Sequence, residues 1–355
     1  MNIYIHFPFC RSKCAYCALH SRVGSSTGER DAYVRSVAAD LEALLSSKPN
    51  ASISTLYLGG GTPSLCDLRP VFDALRHASD ARKCRKSDHF EFTVEVNPAD
   101  VSPDMLKCLR DGCVNRISMG VQSLDDMVLR SMGRPHTASQ AIKAWRMIRE
   151  AGFDNAGIDL ICGWPGVRGA DGISDEWKRT LDKAASLGVD HCSVYTLILE
   201  ARTMLERDVK SGEVALPSDD IALAELAEAQ RILGNAGLER YEISSFARPG
   251  KECRHNLATW RGEDYIGIGE GACSREGNAV SRVIFRMRLL KEGFSPVRAA
   301  EDFPELAPRV QEWTETLNRF ESEGLVSSSA STSYPSYRLT NRGTEVCDTI
   351  LAELV

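Results

Sequence analysis

The sequence predicts an α/β protein: a partial (β/α)6 barrel of parallel strands, followed by a C-terminal helical, winged-helix-like domain. Two observations carry this prediction. Over residues 1–200, short β-branched or apolar runs alternate with amphipathic stretches of helical period, and beyond residue 205 that alternation stops. A βαβα order implies parallel strands joined by right-handed crossovers. Six such units fit a partial barrel, and 355 residues suffice for a large core plus an accessory domain.

The strands are expected at Asn2–His6, Ser54–Leu58, Phe90–Val96, Arg116–Met119, Asn155–Ile161 and His191–Leu197. Helical patterns fall between them at Glu29–Ser47, Asp67–His77, Pro103–Asp111, Ser123–Ser131, Ala138–Ala151 and Asp175–Leu187. We expect the barrel over residues 1–205 and a covering segment over 206–282. That segment opens with a helix at Ile221–Gly234 and becomes polar and glycine-rich from Tyr241 to Asn278. Residues 283–355 read as the helical domain, with Val310–Glu323, a short strand near Tyr337–Leu339 and a last helix Asn341–Leu354. The serine-rich run Ser327–Ser333 reads as its wing.

Composition excludes several classes of function. A formal charge of −6 gives no reason to expect nucleic acid, and the short basic stretch Arg82–Lys86 reads as a solvated helix end. No apolar run is long enough to span a bilayer, although peripheral membrane contact stays open. The N-terminus lacks the basic-then-apolar pattern of a secretion signal, which points to the cytoplasm. Twelve cysteines in such a chain do not form a disulfide framework, and most stand alone in apolar surroundings.

Cys10, Cys14 and Cys17 are different, because they form C-x3-C-x2-C directly after the first strand. Three thiolates on one loop can hold three irons of a cubane cluster and leave the fourth open. The alternative is a zinc knuckle with His20 as fourth ligand. Gly59-Gly60-Gly61-Thr62-Pro63 follows the second strand and lets a ligand approach the backbone, or simply makes a tight turn. Glu95 ends the third strand, Gln122 the fourth, and Asp159 lies in the fifth ahead of Gly163-Trp164-Pro165-Gly166. An acidic residue among apolar neighbours is costly unless it is paired, and active residues of such barrels sit where strands end.

The order C-x3-C-x2-C, GGGTP, EVNP, GVQ and DLI-x-G-x-PG resembles the radical S-adenosylmethionine proteins, and among them the oxygen-independent coproporphyrinogen oxidase group. The resemblance implies a 4Fe–4S cluster on Cys10, Cys14 and Cys17, its open iron chelated by S-adenosylmethionine. It further implies that Tyr4 and Tyr16 flank the cofactor and that Gly60, Gly61 and Thr62 bind its methionine part. Glu95, Gln122, Arg134, Asp159 and the Ser193 backbone are similar in placement to the remaining contacts. Leu19 stands where the oxidases resemble a fourth cysteine, and the first strand starts at residue 2 without their long extension. Both departures favour the haem chaperone branch, the HemW family.

The run Cys253-Arg254-His255-Asn256-Leu257-Ala258-Thr259-Trp260 resembles that branch's haem-binding signature, with Thr259 in place of its tyrosine. It implies His255 as axial ligand and Trp260 against the porphyrin. The expected function is therefore to bind haem as cargo and pass it to respiratory proteins, with a homodimer left open. The alternatives are an oxygen-independent coproporphyrinogen III oxidase, a radical enzyme that decarboxylates propionate side chains, and a zinc-stabilised interaction protein.

Overall fold

The structure is a computed structural model that describes residues 1–355 except 81–83, 167–168, 170–171, 277 and 330–334. Six parallel strands and their crossover helices form its main body. In chain order these are β1 Asn2–Phe7, α1 Thr27–Ser47, β2 Ala51–Gly60, α2 Arg69–Asp80, β3 Cys84–Val96, α3 Pro103–Asp111 and β4 Arg116–Gln122. They continue as α4 Asp126–Ser131, α5 Ala138–Glu150, β5 Ala156–Cys162, α6 Asp175–Ser186 and β6 His191–Thr196. Each strand pairs in parallel with the next, as the βαβα reading requires. The helices begin where side chains can satisfy their first amides. Ser26 and Thr137 close capping boxes with Glu29 and Gln140, and Ser102, Asp125 and Ser174 cap α3, α4 and α6.

Side chains alternate across a strand, and here the two faces differ in kind. Ile3, Ile5 and Phe7 of β1, Leu56 and Leu58 of β2, Phe92 and Val94 of β3, Ile117 and Met119 of β4, Ile158 and Leu160 of β5, and Cys192 and Val194 of β6 share one core with the helices. Val34, Leu41 and Leu45 of α1 and Trp145 and Ile148 of α5 belong to the same core. The other parity reads Asn2, Tyr4, His6; Thr55, Tyr57, Gly59; Glu91, Thr93, Glu95; Arg116, Ser118, Gly120; Gly157, Asp159; His191, Ser193. Register makes this a continuous polar face, because Tyr4 lies beside Tyr57, Tyr57 beside Thr93 and Thr93 beside Arg116. Likewise Gly120 lies beside Asp159, and Asp159 beside Ser193.

Beyond β6 come α7 Met204–Lys210, α8 Asp219–Asn235, β7 Glu239–Arg240, β8 Ser245–Ala247, α9 Arg254–Trp260 and β9 Tyr265–Ile268. The full sheet runs β7-β8-β6-β5-β4-β3-β2-β1-β9. The rest is helical: α10 Ala279–Ile284, a 3-10 turn Phe285–Arg288, α11 Pro296–Asp302 and α12 Val310–Ser322. An antiparallel pair, β10 Val326–Ser329 and β11 Ser336–Leu339, precedes α13 Asn341–Glu345 and α14 Cys347–Leu354. Trp313, Leu317, Phe320, Ile350 and Leu354 centre a second core. The chain divides into two compact units. The first holds Met1–Glu239, Phe246–Lys251 and Ile266–Ser274; the second holds Arg240–Ser245, Glu252–Tyr265 and Arg275–Val355.

Four local expectations change. Residues 84–86 of the basic stretch open β3 instead of ending a helix, and 82–83 lie outside the described residues. The last helix is two, broken at Val346 where the backbone leaves helical values at φ −119° and ψ 25°. Helix α4 starts at Asp126 because the Asp125 side chain accepts from Met127 and Val128, so Ser123 stays outside it. Of the serine-rich wing, 327–329 belong to β10 and 330–333 lie outside the described residues.

Candidate cluster and cofactor site

The cysteine loop leaves β1 and is closed at its neck by backbone. Arg22 N donates to Pro8 O at 2.8 Å and Cys10 N to Arg22 O at 3.0 Å, so residues 10–22 form one bounded loop. Within it Cys17 N donates to Cys14 O at 3.2 Å, and Ala15 N reaches Met132 O at 3.0 Å, tying the loop to the end of α4. The Lys13 ammonium holds the returning limb through Leu19 O and Ser21 Oγ, both at 2.8 Å. A second bracket lies outside the loop. The Glu270 carboxylate accepts from His20 Nε2 and Arg22 Nη1, each at 2.8 Å, while Tyr33 Oη accepts from Glu270 N and donates to His6 O. His20 is thus engaged with Glu270, whereas the zinc alternative turns it toward the cysteines.

Cys10, Cys14 and Cys17 are partly buried free thiols, and polar hydrogens are aimed at two of them. Thr62 Oγ1 lies 3.7 Å from Cys10 Sγ, and Arg134 Nη1 lies 3.4 Å from Cys14 Sγ. The Tyr16 hydroxyl also bonds Cys14, and burial pushes that phenol above its ordinary value, keeping it a donor. Burial pushes the Cys17 thiol up as well, so a thiolate there needs cationic compensation. Among the described residues no three His, Cys, Asp or Glu side chains converge on a single metal ion. A cubane does not ask this of them, since each cysteine binds a different iron.

The glycines after β2 answer first to packing. Gly60 has φ +105°, and a Cβ there would lie 2.5 Å from the His6 ring. A Cβ on Gly61 would lie 2.7 Å from the carbonyl oxygens of Phe7 and Phe9. These contacts draw β2's end against the root of the cysteine loop, which is how Thr62 comes to Cys10. Gly60 N donates to Glu95 at 3.1 Å, and Tyr57 Oη donates to the other Glu95 oxygen at 2.8 Å. Tyr57 stacks on Tyr4 at 6.0 Å.

Glu95 and Asp159 are the acidic centre of the polar face. Burial, and then the charge of Asp159, raises Glu95 to about 7 against the pull of Tyr57, Gly60 and Arg116. Burial also pushes Asp159 up, opposed by hydrogen bonds from Ser193 and Ser118 and by the charges of Arg116 and Arg134. Arg116, 1% exposed, supplies the positive field behind both. Gln122 sits at a bulge relative to β5 with φ +68°, a strained value for a residue with a Cβ. Its side chain folds over Gly120, whose carbonyl accepts from Arg134 Nη2.

The first unit therefore joins Tyr4, Cys10, Cys14, Tyr16, Cys17, Gly60, Gly61, Thr62, Glu95, Gln122, Arg134, Asp159 and Ser193 through one set of neighbouring contacts. His255 belongs to the second unit, where it is buried on α9 with its ring 6.1 Å from that of Tyr265. Motif reading missed His6, Tyr57, Arg116, Ser118 and His191, and also the Tyr33–Glu270 bracket. The period-two alternation of polar residues over six successive strands was the available signal for the first five. Nothing local in the sequence pairs Glu270 with His20.

Comparison with known proteins bears on the family and the fold. Residues 4–172 match the Radical SAM superfamily, a span that includes every candidate of the first unit except Ser193. Over 271 residues the chain is 35% identical to the haem chaperone HemW of Lactococcus lactis, covering 76% of this chain and 68% of that one. The chain belongs to the HemW family. HemW of Escherichia coli is 34% identical over 272 residues, 77% of this chain and 69% of its own. The family's fold also has a solved relative: coproporphyrinogen III oxidase (HemN) from Escherichia coli, described as a radical SAM enzyme. It superposes with a TM-score of 0.79 at 21% identity over 99% of this chain and 89% of that one. That likeness concerns the fold alone.

Proposed function

We propose that this HemW-family chain is a haem chaperone, which binds haem and delivers it to respiratory proteins from a core that holds a 4Fe–4S cluster and S-adenosylmethionine. The observation that carries the proposal is the 34–35% identity to HemW proteins over about three quarters of the chain. Leu19 in place of a fourth loop cysteine agrees with it.

In this reading Cys10, Cys14 and Cys17 hold the cluster. The donors aimed at Cys10 and Cys14 support the fit, because hydrogen bonds to ligand sulfurs stabilise thiolate charge and tune the cluster's potential. When bound, the cluster supplies a single electron toward the sulfonium of S-adenosylmethionine. The chain's own residues do the holding. Glu95 and Asp159 offer partly buried carboxyls that a cationic or hydroxyl-bearing ligand would satisfy. Gln122 offers an amide at a strained backbone position, Tyr4 and Tyr16 offer aromatic walls, and Gly60, Gly61, Thr62 and the Ser193 backbone offer polar main-chain groups. His255 serves as the axial ligand of haem iron.

The cytoplasm, a peripheral approach to membrane-bound recipients and a homodimer belong to the same proposal. No helix among the described residues is long and apolar enough to cross a membrane. Titrating haem into wild type and His255→Ala tests the ligand assignment. The proposal expects a Soret band in the wild type that shifts or weakens in the variant, and an unchanged band removes His255 from the site.

A further inference from the structure

The second unit contains a ladder of two aromatic rings flanked by two guanidinium groups, of which only Trp260 belongs to the haem-binding signature. The Arg275 guanidinium lies 4.5 Å over the Phe285 ring, Phe285 lies 6.3 Å from Trp260, and the Arg288 guanidinium lies 4.4 Å over Trp260. The ladder reaches His255 through two connections. Arg275 Nη1 donates at 3.0 Å to the carbonyl of Thr259, one turn of α9 beyond His255. The Arg275 backbone is also paired with Tyr265, whose ring faces that of His255. The turn after α9 is fixed against α10, since Gly262 has φ +74° and a Cβ there would lie 2.2 Å from the Arg282 backbone. Trp260 is thereby held between Phe285 and Arg288.

Three donors in this ladder are buried without an acceptor among the described residues: Trp260 Nε1, Arg275 Nη2 and Arg288 Nε. Nearly all buried donors in folded proteins are satisfied, so three orphans in one ladder need an explanation. Arg288 keeps an ion pair with Asp348 at 3.0 Å, but that aspartate is 90% exposed and takes only Nη1. Burial depresses Arg275 below its ordinary value, outweighing the opposing influence of Tyr265 and Asp264. Guanidinium and indole N–H groups are donors only, and guanidinium matches carboxylate in geometry and charge. The missing partner is therefore an anionic acceptor, presented beside a flat apolar surface that the two rings can cover.

We infer that Arg275, Arg288 and Trp260 form an anchor for the carboxylate substituents of a planar macrocycle whose metal is bound at His255. This rests on the haem reading above and adds to it which end of the ligand the chain grips. Ligand entry would satisfy the three donors, and the rings would lie against the macrocycle edge. Affinity then depends on carboxylate charge as well as on iron.

Titrating the full-length protein with haem and with haem dimethyl ester, whose carboxylates are blocked, tests the inference. Wild type should bind haem about tenfold or more tightly than the ester, the scale of one charge-assisted hydrogen bond. Arg275→Gln should lose that preference while keeping the Soret maximum, because the axial ligand is untouched; Arg275→Lys should restore part of it. Equal affinity of wild type for the two ligands overturns the anchor and leaves the haem reading standing. A folded Arg275→Gln that keeps the full preference also overturns it. Failure of wild type to bind either ligand overturns the haem reading and the anchor together.

Discussion

Two carboxyls on one sheet face, Glu95 and Asp159, concentrate the chemistry of the first unit, and their cost is measurable. An unfolded Glu95 titrates near 4.5 and the folded one near 7. Above about pH 4.5 the unfolded chain has released a proton that the folded chain keeps, so this group's stabilisation is complete at lower pH. It is lost as pH rises through 7, by at most roughly 3 kcal/mol given partial solvent access. Glu95→Gln should therefore flatten the fall in urea stability between pH 5 and pH 8 in cluster-free protein. An unaltered slope would contradict the buried-carboxyl account. Gln122 offers a second test at this scale. Its positive φ costs about 1 kcal/mol that glycine does not bear. Gln122→Gly should melt no lower than wild type yet bind S-adenosylmethionine more weakly by equilibrium dialysis. A lower melting temperature would show that the amide stabilises the fold more than its backbone strains it. Both residues were legible as polar groups at strand ends, but neither the raised titration nor the bulge was. The first arises from burial and then from Asp159, the second from pairing with β5, and both are set by other strands.

At the level of elements, the site is a bounded loop seated on the ends of three strands. The parallel order and all five crossovers were legible, because period two and period 3.6 separate cleanly when strands carry one apolar face and helices carry one stripe. The partners that hold the loop were not. Glu270 lies 250 residues from His20, in a segment whose own sequence reads only as a glycine-rich turn. Glu270→Gln weakens the bracket to His20 and Arg22. It should shorten the life of the reconstituted cluster in air, followed by loss of its visible absorbance, without changing the far-ultraviolet spectrum. A cluster lifetime equal to wild type would mean that the backbone neck at Pro8 and Arg22 suffices. Gly61→Ala should be far more damaging. Two carbonyl oxygens at 2.7 Å from the new methyl cannot both retreat, and a loss of about 2 kcal/mol or more in chemical denaturation is expected. A variant within 0.5 kcal/mol of wild type, the range of inconsequential substitutions, would show that the β2 turn is looser than its contacts imply.

The whole molecule was legible in class and in family, through motifs that fall in one order along 200 residues. Less legible was the way the last third folds. Short elements such as β7, β8 and α9 carry too few residues for a period to emerge, and they form because tertiary neighbours complete their hydrogen bonds. The arginine–aromatic ladder lies there too, assembled from residues 260, 275, 285 and 288, which no spacing rule connects. Carrying haem and making its precursor are distinguishable on one preparation. Anaerobically reconstituted, reduced protein should be given S-adenosylmethionine with either coproporphyrinogen III or haem, and both outcomes followed on the same preparation. The account predicts stable haem binding and no accumulation of protoporphyrinogen over repeated turnovers. Many turnovers of coproporphyrinogen, with no haem retained, would contradict it.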